Sequence, residues 1–567
     1  MKIKFAFSIP LLCLFFLAHN VQSQDNYSLL GPTPGCFGFN GFVKTTTHIF
    51  AIMNCPLTGT NPSTGNQLYV SNGSEPLHLL KFMPAGVHGS IPENFLPVGN
   101  ILYFTMPDDT YGHELWLTDG TEQGTRMIRD IAVGSSGSQP SYLAEMNGIV
   151  YFNAYSSEYG EELWRTDGTL NGTYPIVDLY EGSNGGLNSN RDIHAHNNTI
   201  FFGAQSSNNS ASVELYKTDG TENGTVLVKD INTVPFPNST ATQASFPKYF
   251  FSYGNIVLFS ANDGVHGTEL WKTDGTAAGT VMIKDINPGI ADSKPLETDS
   301  YKNNCFLYNN EVYFPANDGV HGCELWKTDG TEASTVMVKE TNTDPVTTNN
   351  PSNGDPHRMT VYNNKLYYLS YTPPFEYHGP QAWESDGTEA GTTQLTTAMP
   401  TMVSYPFTIC NDLLYIIINY ERRNILMKYD GVTLDTVSNN TNQDKYLSSN
   451  NFPVCFNEYL YVNASSVSIG TTDNFGTWKV GDPSIATSTK NTSVEDNTIY
   501  ILSTSELEIL TPETILEIKI INTSGSESDA PKLDNHTLDI SGLPNGMYII
   551  KTHTDIKTLT KKIILTR

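Results

Sequence analysis

The stretch GTELWKTDGTAAGTVMIKDI, residues 267–286, decides the fold, because copies of it recur along the chain. The close copies begin at Gly112, Gly160, Val213, Gly267 and Gly322, and a looser one begins at Gln381. Degenerate units around Asn72 and Asp430 bring the series to eight, and GTWKVGD around Trp478 extends it to nine. A period of about 50 residues is typical of propellers and other repeat arrays.

Each unit has the periodicity of β-strands. In the unit at 140–180, the pattern predicts strands over 141–147, 149–154, 162–166 and 173–179. Asp-Gly after the third strand favours a turn, because glycine accepts positive φ and aspartate hydrogen-bonds nearby backbone amides. Four short antiparallel strands per unit predict an all-β fold, a β-propeller of eight or nine four-stranded blades.

The six tryptophans share one place, the third strand of a unit: Trp116, Trp164, Trp271, Trp326, Trp383 and Trp478. They could form sugar-binding platforms or pack between neighbouring blades. We favour packing, because an interblade core is needed in every blade and a binding platform is not.

Two acidic positions also recur. The turn aspartates are Asp119, Asp167, Asp219, Asp274, Asp329 and Asp386, and the glutamates are Glu114, Glu162, Glu214, Glu269 and Glu324. Regular Asp-Gly-Thr turns suggest calcium, but the alternating oxygen ligands of a calcium loop are missing. We therefore expect the aspartates to stabilise turns. A glutamate in every unit is likewise more plausible as a structural group than as one member of a unique catalytic dyad.

A third position, in the loop before the third strand, carries the candidate binding residues: Tyr111, Tyr159, His266, His321 and His378. Such loops in neighbouring blades should lie roughly 10 Å apart or more, given strands spaced about 4.8 Å within a blade. Zinc needs its nitrogen ligands at about 2 Å. We therefore expect no shared metal and no cofactor, and interpret these residues as an exposed contact surface.

The repeat resembles the ELWxxDGT family, whose pattern ELWxTDGTxxGTxxVKDI is nearly matched at 269–286. The resemblance covers roughly residues 60–440. It implies a propeller-like array, found mostly in exported bacterial proteins, and it supplies no catalytic residues to transfer.

The N-terminus predicts export. Lys2 and Lys4 precede the apolar run 5–18, and Val21-Gln22-Ser23 suits cleavage before Gln24, so residues 1–23 read as a signal peptide. An exported chain permits disulfides among Cys36, Cys55, Cys305, Cys323, Cys410 and Cys455. The local pairs Cys36 with Cys55 and Cys410 with Cys455 are hypotheses, and the alternative is a set of small buried thiols.

The repeat ends near residue 490, which predicts a propeller over 24–490 and a small β-sandwich over 491–567. The last segment resembles the C-terminal sorting domain of the type IX secretion system of Bacteroidetes. The residues that carry the resemblance are Leu543, Gly546, Tyr548, Lys561, Lys562 and Ile563. It implies contact with the type IX machinery and a final location in the medium or on the outer cell surface.

The charge balance of the chain excludes one class of binding partner. With 59 acidic and 32 basic residues, the chain carries a formal charge of −27, which argues against nucleic acid. We expect a non-catalytic binding or adhesion module that recognises a glycan or a surface protein. The alternatives are a polysaccharide-acting enzyme, a glycosidase or lyase using paired carboxylates, and a purely structural surface component.

Overall fold

A computed structural model describes most of the chain. The described residues are 27–29, 37–54, 66–75, 77–82, 91–187, 192–207, 209–239, 241–297, 304–343, 353–372, 379–396, 402–403, 407–420, 423–436, 445–447, 453–457, 459–466, 474–480, 499–502, 506–510, 515–522, 527–528, 537–539, 546–554 and 558–565. All regular elements in these ranges are β-strands. They include no helix able to cross a membrane. The expected signal peptide and the Cys36–Cys55 pair lie outside them.

Seven four-stranded antiparallel meanders follow one another along the chain. Blade 1 has β2 (Phe37–Lys44), β3 (Ile49–Asn54), β4 (Gln67–Ser71) and β5 (His78–Leu79). Blade 2 has β6 (Glu93–Val98), β7 (Ile101–Asp108), β8 (Gly112–Thr118) and β9 (Arg126–Met127). Blade 3 has β10 (Ser141–Met146), β11 (Ile149–Ser156), β12 (Gly160–Thr166) and β13 (Tyr174–Pro175). Blade 4 has β14 (Ile193–His196), β15 (Thr199–Ser206), β16 (Asn209–Thr218) and β17 (Val226–Lys229).

The next three blades repeat this order. Blade 5 has β18 (Lys248–Tyr253), β19 (Ile256–Asn262), β20 (Thr268–Thr273) and β21 (Val281–Lys284). Blade 6 has β22 (Phe306–Tyr308), β23 (Glu311–Asn317), β24 (Cys323–Thr328) and β25 (Val336–Lys339). Blade 7 has β26 (His357–Tyr362), β27 (Lys365–Ser370), β28 (Gln381–Ser385) and β29 (Thr393–Gln394). We call the four strands of a blade A to D.

Two further sheets complete the array. In blade 8, β30 (Met402–Val403) and β31 (Thr408–Cys410) both pair with β32 (Leu413–Tyr420), followed by β33 (Arg423–Tyr429) and β34 (Leu434–Thr436). In blade 9, β35 (Lys445–Leu447) and β36 (Val454–Phe456) pair with β37 (Tyr459–Ser466), which pairs with β38 (Asn474–Val480). The N-terminal β1 (Tyr27–Leu29) lies beside β38 at the edge of this sheet. The expected all-β propeller is confirmed, and the described residues form nine blade sheets.

The unit at 140–180 shows where the strand prediction was wrong. Strand D was expected over 173–179 but is only Tyr174–Pro175. Beyond this pair the N–H of Ile176 still donates to the carbonyl oxygen of Leu163 at 2.9 Å, and the following residues form the crossover loop to blade 4. Strand D is equally short in blades 1, 2 and 7. Strands B and C begin or end up to two residues beyond their predicted limits.

The five tryptophans whose side chains the structure describes pack between blades, as expected. Trp164 of blade 3 is 3% exposed and lies in one apolar cluster with Tyr103 and Leu115 of blade 2. Trp271, Trp326 and Trp383 pack in the same way on the blades before them. A large apolar side chain is needed at each of these interfaces, which accounts for the recurrence of tryptophan, so the sugar-platform interpretation is not needed.

Blade 9 packs against blade 1 and closes the array. Phe456 and Tyr461 share an apolar cluster with Ile49 and Ala51. Lys44 Nζ donates to the carbonyl oxygen of Cys455 at 2.7 Å. The Cys410–Cys455 disulfide joins blade 8 to blade 9 and confirms that expected pair.

The strands after residue 490 belong to a separate compact unit. It contains β39 (Ile499–Leu502), β40 (Glu506–Leu510), β41 (Ile515–Asn522), β42 (Glu527–Ser528), β43 (Thr537–Asp539), β44 (Gly546–Thr554) and β45 (Thr558–Leu565). They form two antiparallel sheets, ordered β39-β40-β43 and β42-β41-β44-β45.

Candidate functional site

The loops between strands B and C, here called the BC loops, carry the candidate binding residues. In blade 5, Asp263 Oδ1 accepts the N–H groups of Val265 at 2.9 Å and His266 at 2.8 Å. Asp263 Oδ2 lies 2.7 Å from His266 Nδ1. The aspartate thus fixes the loop backbone and the imidazole together, and it leaves Val265 57% exposed.

Blade 6 repeats this loop. Asp318 Oδ1 accepts the N–H groups of Val320 and His321, and Asp318 Oδ2 lies 2.7 Å from His321 Nδ1. The hydrogen bond with the neighbouring aspartate raises the pKa of His266 and of His321 above the ordinary value. Two neighbouring blades therefore present the same exposed valine and the same aspartate-held imidazole.

The tyrosines of blades 2 and 3 differ from each other. Tyr111 is 41% exposed, and Asp108 Oδ1 fixes its loop by accepting the N–H groups of Thr110 and Tyr111. Tyr159 packs edge-on against Trp164, with ring centroids 6.5 Å apart. A hydrogen bond with Glu158 raises the pKa of Tyr159. The structure therefore places Tyr111, His266 and His321 on BC loops at the surface and Tyr159 against Trp164. His378 lies outside the described residues.

The recurring glutamates are buried and bind crossover loops, the segments that join strand D to the next blade. Glu269 Oε2 accepts the N–H of Ile286 at 2.9 Å and the hydroxyl of Ser293 at 2.7 Å. All five glutamates are at most 2% exposed. Burial raises the pKa of Glu269 to about 7, against the lowering effect of these hydrogen bonds. The repeated carboxylates are therefore structural anchors that solvent and substrate do not reach.

The Asp-Gly-Thr segments are closed hydrogen-bonded turns. Asp274 Oδ1 accepts the N–H of Thr276 at 2.8 Å and its hydroxyl at 2.7 Å, and Thr276 Oγ1 accepts the N–H of Gly279 at 3.0 Å. A Cβ added at Gly279 would lie 2.2 Å from Asp274 Cγ, so the position requires glycine. The turn-stabilising interpretation is confirmed. The Asp-Gly pair begins a loop that is longer than the two-residue turn of a tight hairpin, because strand C ends at Thr273 and strand D begins only at Val281.

A basic side chain links most neighbouring blades, a role that the sequence analysis missed. Lys284 Nζ donates to the carbonyl oxygen of Thr335 in the next blade at 2.8 Å. Equivalent contacts run from Lys81 to Thr125, Arg129 to Thr173, Lys229 to Thr280 and Lys339 to Thr392. The signal in the sequence was a basic residue directly before an acidic one near the end of four units, at Arg129, Lys229, Lys284 and Lys339.

One polar cluster has no counterpart in the repeat. On the A strands of blades 4 and 5, Ser252 Oγ lies 2.8 Å from His194 Nε2 and 2.9 Å from His196 Nδ1. Burial lowers the pKa of His194 to about 4, so this ring is neutral at neutral pH. The cluster lies outside the recurring motif, and for this reason self-comparison could not find it.

No set of three or more His, Cys, Asp or Glu side chains within the described ranges is arranged to hold a metal ion. The polar contacts of His266, His321 and Tyr159 stay within their own loops. The structure therefore brings the candidate residues into a series of separate loops and not into one converging site.

The sorting residues lie on the last two strands. Gly546 and Tyr548 are in β44, and Lys561, Lys562 and Ile563 are in β45. The register places Tyr548 opposite Ile563. Leu543 lies outside the described residues.

Comparison with protein families matches residues 498–566 to the secretion system C-terminal sorting domain. The chain ends in a type IX sorting domain. The predicted sorting signal is thereby confirmed, and it implies interaction with the type IX secretion machinery. The protein is accordingly secreted or held on the outer cell surface.

The chain has no match among curated proteins. Among solved structures, it is similar to a prolyl endopeptidase, at 12% identity and a TM-score of 0.34, over 70% of this chain and 53% of that one. It is also similar to a puromycin hydrolase, at 11% identity and a TM-score of 0.34, over 67% of this chain and 59% of that one. The chain therefore spans little more than half of the length of either protein. The propeller domain of the Trilobed protease from Pyrococcus furiosus is similar at 11% identity and a TM-score of 0.31, over 71% of this chain and 97% of that one. Likeness at these scores has no bearing on activity.

Proposed function

We propose that the propeller is a non-catalytic binding or adhesion module that type IX secretion delivers to the cell surface or the medium. One observation carries this proposal: the carboxylates and lysines that recur in the repeat are used inside the fold. Glu269 holds a crossover loop, Asp274 closes a turn, and Lys284 links two blades. A glycosidase would need two carboxyl groups that reach the scissile bond, and the recurring glutamates are buried.

The groups left for recognition are on the BC loops. Tyr111, Val265 and Val320 are 41%, 57% and 67% exposed, and the imidazoles of His266 and His321 are held beside the two valines. Aromatic rings, imidazoles and small apolar groups on preformed loops suit the apolar faces and hydroxyls of sugars, as well as protein surfaces. A glycan or a surface protein is therefore the partner class we favour.

The test uses the full secreted chain on a glycan array and on whole cells. The proposal predicts saturable binding that the triple change Tyr111→Ala, His266→Ala and His321→Ala weakens at least tenfold. Tyr174→Ala is the matched control, because Tyr174 is also 41% exposed but lies on strand D. The absence of saturable binding would favour a structural component. Polysaccharide turnover abolished by a single carboxylate change would show an enzyme.

A further inference from the structure

The crossover loop between blades 4 and 5 contains a small hairpin. Pro235 pairs with Thr242 in an antiparallel bridge, and the N–H of Phe236 donates to the carbonyl oxygen of Ala241 at 2.9 Å. Within the described ranges no other crossover loop forms a bridge of this kind. The ring of Phe236 is 42% exposed. The hairpin therefore presents an aromatic ring at the surface.

A second exposed aromatic ring lies at the end of the same loop. The N–H groups of Ser245 and Phe246 both donate to the carbonyl oxygen of Val213, at 3.0 and 3.2 Å, and Phe246 has a φ of 46°. This left-handed region is rare for a bulky side chain. Phe246 is nevertheless 45% exposed, so burial of the ring does not explain why phenylalanine occupies this position.

Other blades carry a polar residue at the position of Phe246. Ser245 is equivalent to Ser138 and Ser293, because the hydroxyl of each serine donates to the buried glutamate of its blade. The residues that follow these serines are all exposed, at positive φ and followed by proline: Gln139, Phe246 and Lys294. The fold therefore accepts glutamine or lysine here, and the phenylalanine is a departure from the repeat. Clustered exposed apolar side chains are typical of binding sites.

The hairpin packs on the BC loop of blade 5. A Cβ added at Gly264 of that loop would lie 2.8 Å from Val234 Cγ2. Alternate residues of an extended segment share one side, so Phe236 lies on the same side of the hairpin as Val234, toward the BC loop. At the end of strand B, the N–H of Asn262 donates to the carbonyl oxygen of Ser245, the residue before the second phenylalanine. Both phenylalanines therefore belong to one loop cluster with this BC loop.

The exposed side chains of this loop cluster form a patch with little charge. We give the name aromatic patch to Phe236, Phe246, Val265 and His266. The segments that carry it, 232–246 and 262–266, contain no lysine or arginine. Their one acidic residue is Asp263, which lies 2.7 Å from the imidazole of His266. The patch is therefore close to neutral on a chain whose formal charge is −27.

A nearly neutral patch of aromatic rings with a fixed imidazole suits sugars, which offer an apolar ring face and hydroxyl groups. Charged polysaccharides are disfavoured, since no basic side chain is present to pair with their carboxylate or sulfate groups. A protein partner is disfavoured because a specific protein interface buries about 800 Å² on each side, far more than four side chains provide. We propose that the aromatic patch binds an uncharged oligosaccharide whose sugar ring stacks on Phe246. The inference rests on the proposed binding function and narrows its partner to a neutral glycan.

The test titrates the full secreted chain with uncharged oligosaccharides of glucose, xylose and mannose, with oligogalacturonate as the acidic comparison, and with whole cells. At least one uncharged sugar should bind saturably, and Phe246→Gln should weaken that binding about tenfold through the loss of one stacked ring. The melting temperature should not change, because Gln139 occupies the equivalent position after blade 2. Phe236→Gln should also weaken binding. The matched control Phe82→Gln changes a ring that is 47% exposed after strand D of blade 1, and it should leave the Kd as it is.

The outcomes separate this inference from the proposed function. Saturable sugar binding that Phe246→Gln and Phe236→Gln both leave unchanged would overturn the role of the aromatic patch and leave the binding function standing. Binding to oligogalacturonate or to whole cells, without binding to any uncharged sugar, would overturn the neutral-glycan inference alone. The absence of saturable binding to every probe, whole cells included, would overturn the inference and the proposed function together.

Discussion

Lys284 Nζ lies 2.8 Å from the carbonyl oxygen of Thr335, across the interface between blades 5 and 6. The contact joins strand D of one blade to the Asp-Gly-Thr loop of the next. It explains why a basic residue and the second threonine of that loop recur together. Lys284→Met keeps most of the apolar stem and removes the donor.

We expect Lys284→Met to destabilise the propeller by about 1 kcal/mol, the usual value of one hydrogen bond. Chemical denaturation followed by tryptophan fluorescence measures it. Lys294→Met is the control, because within the described ranges Lys294 makes no hydrogen bond of this type to a neighbouring blade. Equal stability of the two variants would show that the link adds nothing.

The Asp-Gly-Thr turn gives a second prediction. Asp274→Ala removes the acceptor of two hydrogen bonds, and we expect a loss of about 1–2 kcal/mol. Asp274→Asn keeps an acceptor oxygen and should lose less. If the alanine and asparagine variants unfold at the same denaturant concentration, the turn network is not what stabilises this loop.

The disulfide gives a third prediction. Cys410 and Cys455 are separated by 45 residues and join blades 8 and 9. The double change Cys410→Ser and Cys455→Ser should lower stability by about 3–4 kcal/mol, as expected for a loop of this length. Reducing agent should lower the melting temperature of the wild-type chain more than that of the double variant. An equal effect on both would assign the redox sensitivity to other cysteines.

The fourth prediction concerns pH. Burial raises the pKa of Glu269 from 4.5 to about 7, so the folded state holds this proton more tightly than the unfolded state does. The resulting stabilisation is complete below about pH 4.5 and is lost as pH rises toward 7. Unfolding free energies measured between pH 5 and 8 should fall less steeply for Glu269→Gln than for the wild type. Identical slopes would mean that Glu269 is already ionised at pH 5.

The fifth prediction concerns the sorting domain. Deletion of residues 491–567 should leave the protein in the periplasm, because the type IX machinery reads the C-terminal domain matched at 498–566. Immunoblots of cell fractions and medium measure it. Normal secretion of the shortened chain would contradict the sorting assignment.

Much of the fold could be predicted from the sequence because each blade repeats one motif. The periodicity of the sequence located strands A to C within about two residues. The recurrence of tryptophan in the third strand of a unit predicted the apolar core between blades. The length of strand D was wrong because a two-residue pairing leaves almost no periodic signal. The link from Lys284 to Thr335 was missed because the partner is a backbone carbonyl group in another unit, which residue types do not reveal.

The candidate site was predicted less well. The positions of Tyr111, His266 and His321 in loops before strand C followed from alignment of the units. The packing of Tyr159 on Trp164 did not, because residue types do not show which ring of a loop turns toward the core.

The most direct test of the binding account compares two variants on one ligand found by the glycan array or pull-down. The double change His266→Ala and His321→Ala should weaken binding at least tenfold with an unchanged melting temperature, whereas Glu269→Gln should change the melting temperature and leave the Kd as it is. The reverse pattern, with binding lost on changing the buried carboxylate and kept without the loop imidazoles, would contradict the account.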